Sequence, residues 1–189
     1  IIDEKGYVSL LLESDLKFSQ VEEFTGKIRY LGVDPSGEGS NETVWVVRDR
    51  FKAKIVAKEK ISNPKSIAQK TLTLMSHFLI EPQNVIVDNF GEGANVAQEL
   101  LYALFKNEDF RVKTITAINV GEPSKTEDFI NKRAECFYRL KNWLRSGGEL
   151  VSHSDWSQLL VLKYRQELNG RMKIMSKLDM QRMGIPSPD

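Results

Sequence analysis

Apolar and polar positions along this chain follow two alternating periods, and the switches between them predict its elements. Residues 28–33 (IRYLGV) form an apolar run that stops at Asp34-Pro35-Ser36-Gly37-Glu38-Gly39-Ser40-Asn41, so a strand is expected to end where Asp34 begins a loop. Residues 44–47 around Trp45 and residues 51–61, which in part alternate Lys with apolar side chains, are expected to pair across Arg48-Asp49-Arg50. Together these segments give an antiparallel three-strand meander. Beyond the Asn63 cap and Pro64, apolar residues recur at Ile67, Leu72, Met75, Phe78 and Leu79, which predicts an amphipathic helix over 66–80.

A second strand–loop–helix unit follows. Residues 84–87 (NVIV) are a short buried strand that ends at Asp88-Asn89-Phe90-Gly91-Glu92-Gly93 and opens into a helix over 94–105. The pattern then predicts a strand over 111–120, a helix over 127–144 stopped by Gly147-Gly148, and a helix over 155–167. Residues 171–174 read as the second arm of a hairpin, and 178–183 as one or two helical turns. Near the start, 13–23 reads as a short helix capped by Ser14 or Asp15, within a lead-in segment 1–26 that precedes the domain proper at 27–189. The whole is of the α/β class: a mixed sheet with an N-terminal three-strand antiparallel meander and helices on both faces.

Composition narrows the chemistry. At 189 residues, with 41% apolar and 28% charged residues, the chain suits one soluble domain and excludes disordered and low-complexity classes. No stretch reaches the roughly 18 to 20 apolar residues of a membrane span, and the start lacks the pattern of a signal peptide, so no membrane partner is expected. Cys136 is the sole cysteine and His77 and His153 lie far apart, which leaves carboxylates as the ligands for any metal. A net charge of +1 means that nucleic acid would be held by locally clustered Lys and Arg. Ile1 is not an initiator methionine and the chain stops at Asp189 after Ile-Pro-Ser-Pro, so it reads as a domain of a longer protein.

Asp34 and Asp88 each close a predicted strand ahead of a Gly-rich loop. If the two strands are neighbours, the carboxylates converge at strand ends, where sites in open α/β sheets gather. Strands lie about 4.8 Å apart, a spacing that lets two carboxylates share hard cations such as Mg²⁺ or Mn²⁺. Two such ions about 4 Å apart activate a water and stabilise the leaving oxygen in phosphodiester hydrolysis. The alternative for each Asp alone is a turn former without chemistry.

Four motifs, Leu31-Gly32-Val33-Asp34-Pro35-Ser36-Gly37, Val87-Asp88-Asn89-Phe90-Gly91-Glu92-Gly93, Asn131-Lys132-Arg133-Ala134-Glu135, and Ser176-Lys177 through Gly184-Ile185-Pro186-Ser187-Pro188-Asp189, stand in this order. In that order they resemble the nuclease domain of the large terminase subunit of tailed bacteriophages. The resemblance implies a ribonuclease H-like fold and a Mg²⁺- or Mn²⁺-dependent endonuclease with two ions that cuts concatemeric double-stranded DNA during packaging. It further implies an upstream packaging ATPase domain, a small terminase subunit and a portal protein as partners, and the host bacterial cytoplasm as the location. Carried over by position, Asp34 and Asp88 are metal ligands, and Asp189 is the third ligand or its neighbour. Glu42 stands after the Gly-rich loop, where relatives often carry an acidic residue, and either substitutes for it or is no ligand here. Lys132, Arg133 and Lys177 are the candidates for contacting DNA.

Each polar candidate also has a plainer reading. Lys132, Arg133 and Lys177 can serve simply as solvated surface, and His77 and His153 lack metal-ligand spacing and read as structural or exposed. Trp45, Trp143 and Trp156 read as core rather than base-stacking residues. Lys52, Lys54, Lys58 and Lys60 at period two form either a basic stripe for a duplex or the protection of a sheet edge. Competing function classes are a structure-selective resolvase-like nuclease, an actin-like or sugar-kinase-like nucleotide module, and a noncatalytic interaction domain of the packaging motor.

Overall fold

The computed structural model describes residue 3 and residues 5–37, 41–89 and 91–185. Asp189, Phe90 and Glu38, Gly39 and Ser40 of the first Gly-rich loop lie outside the described residues. The chain forms two compact units, one from Ile1–Gln20 with Val120–Asp189 and the other from Val21–Asn119. In chain order the first unit supplies strands β1 (Val8–Ser9) and β2 (Phe18–Ser19). The second supplies β3 (Tyr30–Asp34), β4 (Thr43–Arg48), β5 (Lys52–Glu59), helix α1 (Pro64–Phe78), β6 (Val85–Asp88), α2 (Gly93–Lys106) and β7 (Thr116–Ile118). The chain then returns to the first unit through α3 (Lys132–Arg145), β8 (Glu149–Val151), β9 (Lys163–Gln166), β10 (Met172–Ile174) and α4 (Lys177–Arg182).

In Val21–Asn119 the strands lie in the order β5-β4-β3-β6-β7. The antiparallel meander β3-β4-β5 forms as the pattern predicts, and β6 and β7 add parallel to it. Parallel neighbours need a crossover, and α1 and α2 provide it. Leu31 and Val33 of β3, Trp45 and Val47 of β4, and Val85 and Val87 of β6 alternate onto one face, where they pack with Ile67, Met75, Val96, Leu100 and Leu104 of the helices. Asn63 caps α1 as expected, its side chain accepting from the Ser66 amide at 3.0 Å. Leu79, expected on the apolar face, instead ends the helix in the left-handed region at φ 55° and is 80% exposed.

Asp49 makes the β4–β5 turn and is fully buried. Its carboxylate accepts from the backbone amides of Gly26 (2.6 Å), Phe51 (2.7 Å) and Lys52 (2.7 Å). Burial alone would raise its pKa, but the amide donors outweigh it and hold the carboxyl below the usual carboxylate value. Gly26 makes the approach possible, since a Cβ there would stand 2.8 Å from the Asp49 Cβ and carboxylate.

The four lysines at period two do not share one face. The β4–β5 register shifts between Trp45 and Val46, so that Lys54 stands opposite Val47 but Lys58 opposite Val44, positions of opposite parity. A single extra residue in a ladder reverses the facing of everything beyond it. Lys52 is buried and donates to the carbonyls of Val21 (2.9 Å) and Glu23 (3.1 Å), and Lys54 pairs with Glu22 at 2.6 Å.

The other unit departs further from the sequence pattern. Residues 13–23 make no α-helix: a 3-10 turn over Glu13–Asp15, its Leu12 amide bonded to the Asp15 carboxylate (2.9 Å), leads into β2, which pairs parallel with β8. Residues 155–167 give a 3-10 helix, Ser154–Val161, and then β9, because Tyr164 and its neighbours pair antiparallel with both β1 and β10. The hairpin arm after Asn169-Gly170 is present as β10. Helix α3 starts at Lys132 rather than Glu127, since Asp128 and Ile130 engage Met172 through main-chain bonds of 2.7 and 3.0 Å and Asn131 then caps Ala134 at 2.9 Å. Tertiary pairing overrides local propensity in each case.

Candidate metal centre

Asp34 and Asp88 are the last residues of β3 and β6, adjacent parallel strands in which Val33 stands opposite Val87. One rung further, the two aspartates follow on neighbouring strands at the same end of the sheet. Val33 and Val87 enter the helix-covered core, so by the period of two both aspartates lie on the face away from α1 and α2. On the far side of Asp88 stands Ile118 of β7, whose carbonyl accepts from the Asn89 amide at 2.8 Å. Thus the strand adjacency on which the expected convergence of the two carboxylates depends is present.

Two local devices set the turns beyond them. Pro35 has no amide to continue the ladder after the Asp34–Val44 pair. The Ser36 amide instead donates to the Thr43 hydroxyl (3.0 Å), and the two hydroxyls, 3.1 Å apart, both reach the Ile61 carbonyl, at 3.0 Å from Ser36 and 2.6 Å from Thr43. Ser36 and Thr43 are both buried. At the second turn, α2 begins so close to β6 that a Cβ on Gly93 would sit 1.7 Å from the Asp88 carbonyl oxygen, with Pro35 Cγ 3.8 Å away. Only glycine permits that approach. The sequence pattern marked both loops as Gly-rich turns but gave no sign of the Ser36–Thr43 bonding; the missing Pro35 amide was the available clue.

The acidic pair is a fit for a hard divalent cation in donor type: two carboxylates at the ends of neighbouring strands. Among the described residues no group of three or more His, Cys, Asp or Glu side chains stands together. Glu42 is half-buried and pairs with Lys58 at 3.1 Å, and the register Asp34–Val44–Lys58 places that lysine on the same face as Asp34.

Lys132, Arg133 and Lys177 belong to the other unit. Lys132, the first residue of α3, pairs with Glu122 at 2.5 Å. Arg133 is packed over the Phe137 ring at 5.3 Å and donates to the Met175 carbonyl at 2.8 Å; its burial lowers its pKa. Lys177 opens α4 and is exposed. The histidines are exposed, and His153 caps its 3-10 helix by accepting the Asp155 amide at 3.2 Å. Trp45 is a core residue, fully buried with its indole N–H on the Thr71 hydroxyl at 3.0 Å. Trp156 is half-buried and donates to the Val151 carbonyl at 2.8 Å, while the Trp143 ring occupies the space above Gly148.

No protein-family model matches the chain, and no curated protein matches it in sequence. Solved structures do match. The nuclease domain of the large terminase subunit gp2 of bacterial virus Sf6 superimposes with a TM-score of 0.70 at 19% identity, over 88% of this chain and 86% of that one. A variant of that domain solved with manganese gives a TM-score of 0.68 at 19% identity, over 88% and 86% of the two chains. The large terminase nuclease of thermophilic phage G20c gives 0.56 at 15% identity, over 87% and 86%. The chain has the fold of a terminase nuclease domain. The ribonuclease H-like, mixed α/β class expected from the motif order is therefore the observed one. Among the described residues no helix is long and apolar enough to cross a membrane.

Proposed function

We propose that the chain is the nuclease domain of a terminase large subunit, a Mg²⁺- or Mn²⁺-dependent endodeoxyribonuclease acting on double-stranded DNA. The observation that carries this reading is the placement of Asp34 and Asp88 on one face at the ends of adjacent parallel strands, within a fold shared with terminase nucleases. Asp34 and Asp88 would hold the cation or cations, with Asp189 or a residue beyond it as a third ligand. Bound there, a hard divalent ion supplies Lewis acidity and a water of lowered pKa. The chain's own part is to fix two carboxylates before the ion arrives, so that little reorganisation remains during phosphodiester hydrolysis.

Lys132 and Lys177 are the proposed contacts to DNA phosphates, which would hold the duplex without reading its sequence. Arg133, already bonded to the Met175 carbonyl, supports the start of α3 in this reading. The substrate is concatemeric viral DNA, delivered by an ATPase domain of the full-length protein with a small terminase subunit and a portal, in the cytoplasm of a bacterial host.

Supercoiled plasmid incubated with Mn²⁺, Mg²⁺ or EDTA tests the proposal. Metal-dependent nicking and linearisation should fall by about 100-fold or more in Asp34→Asn and Asp88→Asn. Equal cutting by all three folded proteins, or none by a wild-type chain extended past Asp189, would replace the nuclease with a noncatalytic interaction domain.

A further inference from the structure

We propose that the Ser36–Thr43 hydroxyl pair is a positioning device for Asp34, setting the metal affinity of the site without touching the metal. The inference rests on the nuclease reading above and deepens it. It starts from where the sheet ladder fails. The β3–β4 pairing ends at Asp34–Val44, and Pro35 offers no amide for another main-chain bond. Without a substitute, the Asp34 carboxylate would stand on a frayed strand end.

The substitute is a closed polar network. Thr43, the first residue of β4, gives its hydroxyl hydrogen to the Ile61 carbonyl (2.6 Å) and accepts the Ser36 amide (3.0 Å). The Ser36 hydroxyl bonds the same carbonyl at 3.0 Å, 3.1 Å from the Thr43 oxygen. Thr43 is 0% exposed and Ser36 6%. A loop held by an ordinary turn would spend its polar groups on water; here the groups two residues past Asp34 are bonded in the interior, to β4 and to the segment leaving β5. Buried networks satisfied throughout rigidify what they join. Losing the Thr43 hydroxyl would strand the Ser36 amide and free the backbone that aims Asp34.

The test uses the chain extended past Asp189, as the plasmid assay does. Mn²⁺ affinity is measured by calorimetry, and amide exchange at Ser36 is followed without metal, for wild type, Thr43→Val, Thr43→Ser, Ser36→Ala and Asp34→Asn. Thr43→Val keeps the shape and loses the hydroxyl; it should bind Mn²⁺ about 10-fold or more weakly, the usual scale for removing support behind a ligand, with Ser36 exchanging faster and β3 core amides unchanged. Thr43→Ser should restore both readouts to near the wild-type values. If Thr43→Val does not fold, Ser36→Ala, which removes one of the two hydroxyl bonds to the Ile61 carbonyl and leaves the residue-36 amide bonded to Thr43, should weaken Mn²⁺ binding in the same direction. Folded Thr43→Val or Ser36→Ala that bind Mn²⁺ as the wild type does would overturn the positioning role while leaving the nuclease reading intact. A wild type whose Mn²⁺ binding is absent, or unchanged in Asp34→Asn, would overturn both.

Discussion

The two units of this protein differ in how far local periodicity lays down the interior of each. Val21–Asn119 has a continuous apolar layer in which Leu31, Val33, Trp45, Val47, Val85 and Val87 meet the inner faces of α1 and α2. Ile1–Gln20 with Val120–Asp189 also buries apolar side chains, among them Tyr7, Leu10, Leu144, Leu150, Leu162 and Met175, and adds polar ties to them. Asp15 forks onto Arg145 at 2.8 and 3.1 Å across 130 residues. Buried Lys141 lies over the rings of Tyr138 and Tyr164, and Arg165 over Tyr7. A periodic apolar layer is encoded locally, whereas ties such as Asp15–Arg145, Lys141–Tyr164 and Arg165–Tyr7 join residues that are remote in sequence. Accordingly Val21–Asn119, which carries the candidate carboxylates Asp34 and Asp88, followed the sequence pattern closely, and Ile1–Gln20 with Val120–Asp189 did not.

Three substitutions separate these modes of construction. The largest effect is expected from Gly93→Ala, whose methyl would fall inside the Asp88 carbonyl oxygen and force β6 and α2 apart. Urea denaturation should show a loss of about 3 kcal/mol, from overpacking against backbone that has no room to move. Metal-dependent cutting should fall with it, because Asp88 is carried by the displaced backbone; a stable Gly93→Ala would refute the close-approach account.

Next is Asp49→Asn, which removes the charge from three backbone donors and should cost about 2 kcal/mol at neutral pH. The folded pKa lies below the unfolded value, so the stability from this carboxylate is complete above the unfolded pKa of about 3.9 and is lost as pH falls through the folded one. The acid limb of the melting-temperature profile below about pH 4 should therefore be shallower in Asp49→Asn than in wild type. Parallel limbs would show that another group governs acid unfolding.

The smallest effect is expected from Arg145→Ala in the other unit. An ion pair at this exposure contributes about 0.5–1 kcal/mol, and the difference from wild type should shrink at 1 M salt. A loss larger than that of Asp49→Asn would reverse the comparison between the units.

Site residues were legible to different depths. Asp34 and Asp88 could be picked out because a strand ending in Asp before a Gly-rich loop occurs twice, a purely local signal. Their adjacency could not, since it depends on β6 pairing with β3 rather than with another strand. Ser36 and Thr43 gave no local signal, as a Ser and a Thr seven positions apart matter only once Ile61 arrives between them. The lysine stripe read from period two failed at one shifted register, an event that depends on β4 as much as on the strand carrying the lysines.

By itself the sequence determined the α/β class, the meander, the capped helix after Asn63, the two Asp-terminated strands and the order of motifs. These rest on side-chain periodicity and backbone preference within a few residues, which every copy of the segment carries with it. Tertiary structure alone decided that Asp34 and Asp88 share a face, that residues 163–166 pair as a strand instead of continuing a helix, and that Asp49 and Lys52 are buried and Arg133 half-buried, each with partners. Each of those outcomes depends on hydrogen-bond partners brought in from distant parts of the chain, and the need to satisfy buried polar groups outweighs the weak local propensities.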